Sequence, residues 1–311
     1  MLERARTFRA MNTDVSVAIV CEPERVNRAD GAIDDVQRTF ATVEATLSRF
    51  LTDSELSRLN RANGQPFRAS SILFKVVTDA VTAARATDGW FDPTVLGALL
   101  AAGYDRSFEL ITEALPSSTS GFACGNSWQE IRLAKRTSTV TLPTKCGLDL
   151  GGIGKGWTVD QAARYLRDFP GFAIDAGGDL YLGGKQSDGS AWSVGIEDPA
   201  NPEKNLLVVV VRDRAVATSS VTRRRWPAGE QSGHHLIDPR TGRPSNSGIL
   251  SATVVSNSVA RAEVLAKVAL LRGPKDGIAF LNDQPDAEGF LFTVSEHIER
   301  SRGFPEVAHA S

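Results

Sequence analysis

Five short segments carry residue types whose spacing could do chemistry. In LDLGGIGKGWTVD (148–160), glycines at 151, 152, 154 and 156 surround Lys155 just ahead of a helical pattern. Bare backbone N–H groups at a helix N-terminus, with an ammonium among them, make an anion cradle. This is neither a Walker A loop, since Gly156 stands where Ser or Thr is required, nor a GxGxxG loop. The same glycines would serve a tight strand-to-helix turn, so both readings stay open. In IDAGGD (174–179), paired glycines allow positive φ and close approach of a ligand between two acids. A plain hairpin with acidic turn residues has the same pattern.

In HHLIDPRTG (234–242), Asp238, Pro239 and Gly242 are turn chemistry, and a histidine ahead of an acid could supply a general base. Adjacent strand residues point to opposite faces, so at most one of His234 and His235 faces a given site. The other two histidines, His297 and His309, lie near the C-terminus, which leaves little for a multi-histidine metal cage. In DGWFDPT (88–94), Trp90 and Phe91 could stack on a flat ring and Asp92 could cap a turn or bond a hydroxyl, although buried aromatics after a helix are commonly core. In ATSS (217–220), followed by the arginines 223–225, hydroxyls and guanidiniums would suit phosphate oxygens; an exposed basic loop is the simpler alternative.

The elements that must position these segments are short. Apolar residues at 33, 36, 40, 43 and 47 fall on one face of a helix over 32–47, and a second helix is predicted over 71–86, opened by Ser70 or Ser71. Further helices are predicted over 156–167 and 259–271. Strands are predicted over 14–20, 131–133, 140–142, 172–175, 180–182, 193–196, 206–211, 215–218, 250–255 and 290–294. Many short strands without strict βαβ alternation indicate an α+β fold with mixed or antiparallel sheets. Residues 115–127 read as a Ser/Gly/Pro-rich surface loop and 305–311 as a loose tail.

Composition sets the outer limits. The chain has 311 residues, 41% hydrophobic and 23% charged, enough to bury a sizeable core. A net charge of -2 gives no pull toward nucleic acid. Three cysteines without a CxxC pair argue against a disulfide framework or zinc site and fit a reducing compartment. No stretch approaches the roughly 18 apolar residues a membrane span needs. With no apolar signal segment at the start, the expected setting is the cytoplasm.

The identity and order of these segments resemble the ApbE family of FAD:protein FMN transferases. The resemblance runs from Met11-Asn-Thr13, expected in a first strand, through LSRFLTDSELSRLN (47–60), GWFDPTV, LDLGGIGKGWTVD, IDAGGDLYLGG, ATS, HLIDPRTGRP and SATVVSNSVARAEVLAKVALLRG (251–273). It implies one T-fold-like α+β domain over residues 1–311 with a recognisable core at 11–273. The implied activity is magnesium-assisted transfer of FMN from FAD to a threonine or serine hydroxyl of an acceptor protein, releasing AMP. It also implies His235 as base, with Asp238 and Ser219 in the catalytic set. Met11, Trp90, Phe91, Asp92, Lys155, Asp160, Gly177, Gly178, Asp179 and Thr218 are the implied FAD-holding residues.

One departure stands out. The family's metal site takes a carbonyl of the glycine loop, here Gly154, together with an Asp and, four residues later, an oxygen-bearing residue. Those last two positions are Glu263 and Lys267. A protonated ammonium has no lone pair for magnesium. Glu263 and Lys267 would be an ordinary i,i+4 pair on a solvated helix face, or the ammonium would stand in for the metal's charge. An FAD pyrophosphatase and a non-catalytic FAD-binding protein are the alternative functions.

Overall fold

The computed structural model describes residues 1–111, 121, 125–228 and 231–304. The expected tail at 305–311 and most of the expected loop at 115–127 lie outside the described residues. Two compact units emerge: Met1–Ala41, Lys155–Ser220 and Gly248–Ser311 form the first, Thr42–Gly154 and Val221–Ser247 the second.

The first unit is built on an eight-stranded sheet. Its order is Leu2–Ala10, Thr13–Cys21, Gly171–Ala176, Asp179–Gly184, Arg214–Ser220, Ile249–Ser256, Glu288–Thr293 and Ile298–Arg300. Every neighbouring pair is antiparallel. A separate hairpin, Trp192–Glu197 with Asn205–Val211, buries Trp192, Val194 and Ile196 with Leu182, Val216 and Phe290 of the large sheet. Period-2 alternation sends Ala215, Ala217 and Val254 the other way, where they are also buried. The helix Val259–Arg272 packs on their two strands. Full burial of each such Val or Leu contributes about 1.5–3 kcal/mol.

The strand Leu2–Ala10 carries no apolar alternation and was not foreseen. It is held by full pairing to Thr13–Cys21 and by ion pairs of Arg4 with Asp30 (3.0 Å) and Arg6 with Asp34 (2.5 Å). Both acids lie on the helix Val26–Leu47, which begins six residues ahead of its predicted start.

In the second unit the helices Glu55–Arg61 and Ser71–Ala86 are capped by Ser54 and Ser70, whose side chains accept the N–H groups of Ser57 and Leu73. Leu73, Val76, Val77 and Ala80 are buried at the three- and four-residue spacing read from the sequence. The unit adds the helix Leu96–Ala101 and a small sheet ordered Phe67–Arg68, Thr139–Thr141, Arg132–Ala134. Two short hairpins, Arg225–Ala228 with Gln231–His234 and Ile237–Asp238 with Arg243–Pro244, complete it. Tyr104, Trp226, Leu99 and Ile237 share one core. Among the described residues no helix is long and apolar enough to cross a membrane.

Candidate active site

Lys155 is the centre of the charged cluster in the first unit. It sits in the opening turn of the helix Gly154–Ala162, and its ammonium is ion-paired to Asp179 and, at 3.2 Å, to Glu263. All three side chains are largely buried, at 16%, 3% and 6% exposure. The second oxygen of Glu263 accepts the Gly156 N–H at 2.9 Å. The cation and N–H read as an anion cradle therefore hold carboxylates of this chain. Gly156 has a further reason to be glycine: an added Cβ would meet the backbone of Val259 and Ala260 at 2.7 Å. Asp160, one turn on, accepts the N–H groups of Val259 (2.8 Å) and Ala260 (3.0 Å), so its carboxylate caps the next helix. Burial pushes the Asp160 carboxyl up to about 6, against those two backbone bonds.

Beside this cluster the large sheet presents its turns. Met11 and Asn12, expected in a strand, are instead the two turn residues of the first hairpin, both at positive φ (52° and 58°). Tight hairpins twist correctly only with such residues, and a non-glycine there costs about 1–2 kcal/mol. Gly177 and Gly178 (φ 67° and 92°) make the equivalent turn between Gly171–Ala176 and Asp179–Gly184. A Cβ on Gly177 would collide with the Thr13 side chain, whereas one on Gly178 would meet nothing within 4 Å. The register sets Asp179 opposite Ala217, which brings Thr218 and Ser219 to the same end of the sheet. The Thr218 hydroxyl shares a 2.8 Å hydrogen bond with that of Thr253.

In the second unit the two histidines part company. His234 is buried, with Nε2 2.9 Å from the Ser245 carbonyl and Nδ1 accepting the Leu236 N–H at 3.3 Å. This fixes the tautomer with the proton on Nε2 and commits both nitrogens to backbone. Burial holds its pKa below the usual histidine value despite the Ser245 bond. His235 is half-buried at the edge of Tyr104, with ring centroids 6.4 Å apart. Tyr104 in turn stacks on Trp226 at 5.2 Å.

Burial raises the Tyr104 phenol, against the pull of Arg224 and Arg49. The Arg49 guanidinium, only 6% exposed, lies over the Phe50 and Tyr104 rings and pairs with Asp149 at 2.6 Å. Asp149 also accepts the Gly151 N–H, tying the glycine loop to this aromatic group. Arg49, Tyr104 and Trp226 were not singled out from the sequence; only the LSRF segment pointed toward them.

Asp238 and Trp90 meet through Arg240, whose guanidinium bonds both Asp238 oxygens (3.1 and 2.9 Å) and lies 3.5 Å over the Trp90 ring. Burial pushes the Asp238 carboxyl up, but Arg240 outweighs it and holds the group below its usual range. Phe91 and Asp92 are buried. Asp92 spends its oxygens on the N–H and hydroxyl of Thr94 (2.7 and 2.6 Å) and on the Asn126 N–H (2.5 Å), the turn-capping alternative. Gly154 donates its N–H to Leu150 at 2.8 Å in the loop.

The residues at the implied magnesium positions fit that ion poorly. Glu263 is buried rather than on a solvated helix face, and both its oxygens already have donors. Lys267, half-buried one turn along the same helix, has no lone pair to offer. Among the described residues no three His, Cys, Asp or Glu side chains are grouped to hold a metal ion.

The fold is α+β, with an antiparallel eight-stranded sheet in the first unit. The chain belongs to the ApbE family, whose model matches residues 11–291. It is similar to the FAD:protein FMN transferase of Chlamydia trachomatis serovar D, 31% identical over 252 residues that cover 78% of this chain and 76% of that protein. The FAD:protein FMN transferase of Vibrio cholerae serotype O1 is 28% identical over 281 residues, 89% of this chain and 82% of the relative. Among solved structures, the ApbE protein of Thermotoga maritima superposes with a TM-score of 0.87 at 23% identity, covering 97% of this chain and 98% of that one. A histidine-to-glycine mutant of the flavin transferase ApbE of Vibrio cholerae gives 0.81 at 25% identity, covering 98% and 99%.

Proposed function

We propose that this chain is an FAD:protein FMN transferase. The observation that carries the reading is that relatives of that name match most of the chain, and that the family model spans residues 11–291, in which its chemistry-bearing residues lie. In the reaction, the acceptor's threonine or serine oxygen forms a bond to the FMN-side phosphorus of FAD. The bond from that phosphorus to the bridging oxygen breaks, AMP leaves with the electron pair, and the hydroxyl proton passes to a base. Such a displacement needs positioning and charge neutralisation more than a covalent nucleophile.

His235 is the base in this reading. The support is its contrast with His234, whose two nitrogens are committed to backbone and whose burial disfavours the charged form. Lys155 faces the pyrophosphate, and the turns at Met11–Asn12 and Gly177–Gly178, with Thr218 and Ser219, border the ligand. Trp90, carrying Arg240 on its face, serves a ring of the ligand, and Asp238 holds Arg240 for it. Phe91, Asp92 and Asp160 support the fold around these groups. A reducing, cytoplasmic setting belongs to the reading, supported by the buried, unpaired thiols of Cys21 and Cys146.

The test is incubation with FAD and a flavinylation-domain acceptor, followed by denaturing electrophoresis. A fluorescent acceptor band that disappears when its target threonine becomes alanine supports the transferase. AMP with an unlabelled acceptor would replace it by a pyrophosphatase, and bound FAD without AMP by a storage protein.

A further inference from the structure

Resting on the transferase reading above, we propose that lysine ammonium groups carry the charge role of the divalent cation in this chain, and that FMN transfer here needs no protein-bound divalent metal. Three observations support it. The first is occupancy: the ammonium of Lys155 lies between the carboxylates of Asp179 and Glu263, where two anionic groups converge. The second is commitment: Glu263 has one oxygen on Lys155 at 3.2 Å and the other on the Gly156 N–H at 2.9 Å, so ligating a metal would break bonds that satisfy a buried carboxylate.

The third observation is rigidity. Gly156 abuts the backbone of Val259 and Ala260, and Asp160 accepts the N–H groups of those same residues. The starts of the two helices are thereby held together, which keeps Glu263 beside the Gly156 N–H. Lys267 follows one turn later on the same helix face and adds a second positive charge on a flexible stem. Two ammonium groups bring the positive charge of one divalent ion to the buried carboxylates of Asp179 and Glu263, although without a metal's geometric demand.

The test uses the full chain, FAD and a flavinylation-domain acceptor, with metal stripped, in EDTA or in magnesium chloride. In parallel, Mn2+ is titrated into the FAD-loaded protein and followed by electron paramagnetic resonance. The expected results are flavinylation in EDTA within about twofold of that in magnesium, and no Mn2+ bound beyond that of free FAD. The double variant Glu263→Asp, Lys267→Thr, which restores oxygen donors, should bind one Mn2+ and lose activity tenfold or more in EDTA. A wild-type chain that loses tenfold or more in EDTA and regains it with magnesium, or that binds one Mn2+ per FAD-loaded chain, would overturn the proposal. If no condition labels the acceptor, the transferase reading is what fails. The Mn2+ titration then still decides the metal question by itself: one bound ion refutes the metal-free site as well, and none upholds that site while the claim about transfer falls.

Discussion

The lysine cluster of the first unit and the histidine–aromatic group of the second hold polar chemistry in place by different means. Around Lys155 the restraint is ionic and backbone-based, and nearly every charged atom is matched by an opposite charge or an N–H. Around His235 the restraint is packing: Tyr104 on Trp226, Arg49 on Phe50 and Tyr104, and Arg240 on Trp90. A charge cluster tolerates no loss of a partner, because what remains is a buried unpaired ion. A stacked group tolerates shape-conserving exchange.

This difference can be broken from either side. The largest effect is expected for His235→Ala, which should lower flavin transfer by about 10²–10⁴-fold while FAD binding, followed by fluorescence quenching, stays within a fewfold. Undiminished transfer would remove the base from the account. Next, Lys155→Ala leaves Asp179 and Glu263 buried without their cation and should cost about 3–5 kcal/mol of folding stability in urea titration. Lys155→Met, which fills the volume without the charge, should recover little of it. Gly156→Ala forces a Cβ against Val259 and Ala260 and should cost about 1–3 kcal/mol.

The smallest effects concern pH. The folded-state pKa of His234 lies below its unfolded value, so the unfolded chain takes up the proton first. Its contribution is present above about pH 6.5 and is lost as pH falls through the folded value. Asp160 runs the other way: raised to about 6, it favours the folded state at low pH, and that gain is lost as pH rises through about 6. His234→Gln should therefore flatten the decline of thermal stability between pH 7 and pH 5, and an unchanged slope would contradict the burial argument.

Much of this was legible in the residues. Alternating valines placed the central strands, 3.6-residue periodicity placed the helix at 71–86, and Ser70 marked its start. The glycine pairs gave the turns, because few other residues adopt positive φ cheaply. What stayed hidden depends on partners far along the chain. The strand Leu2–Ala10 draws its support from ion pairs to a helix more than twenty residues on, which no local pattern reports. Met11 and Asn12 look like strand residues and form a turn only because the strands on either side pair with each other. Asp160 accepts N–H groups from a helix about a hundred residues on, and Asp92 takes its turn-capping alternative on Thr94 with a distant donor in Asn126. Glu263 looked like half of a surface pair, and its burial follows from the close approach that Gly156 permits.

The most direct test of the central claim is a single-turnover count of AMP released against flavin joined to the acceptor, by chromatography and intact mass. One AMP for each acceptor gaining one FMN through a phosphoester is the predicted result. AMP accompanied by an equal amount of free FMN, with the acceptor's mass unchanged, would contradict it.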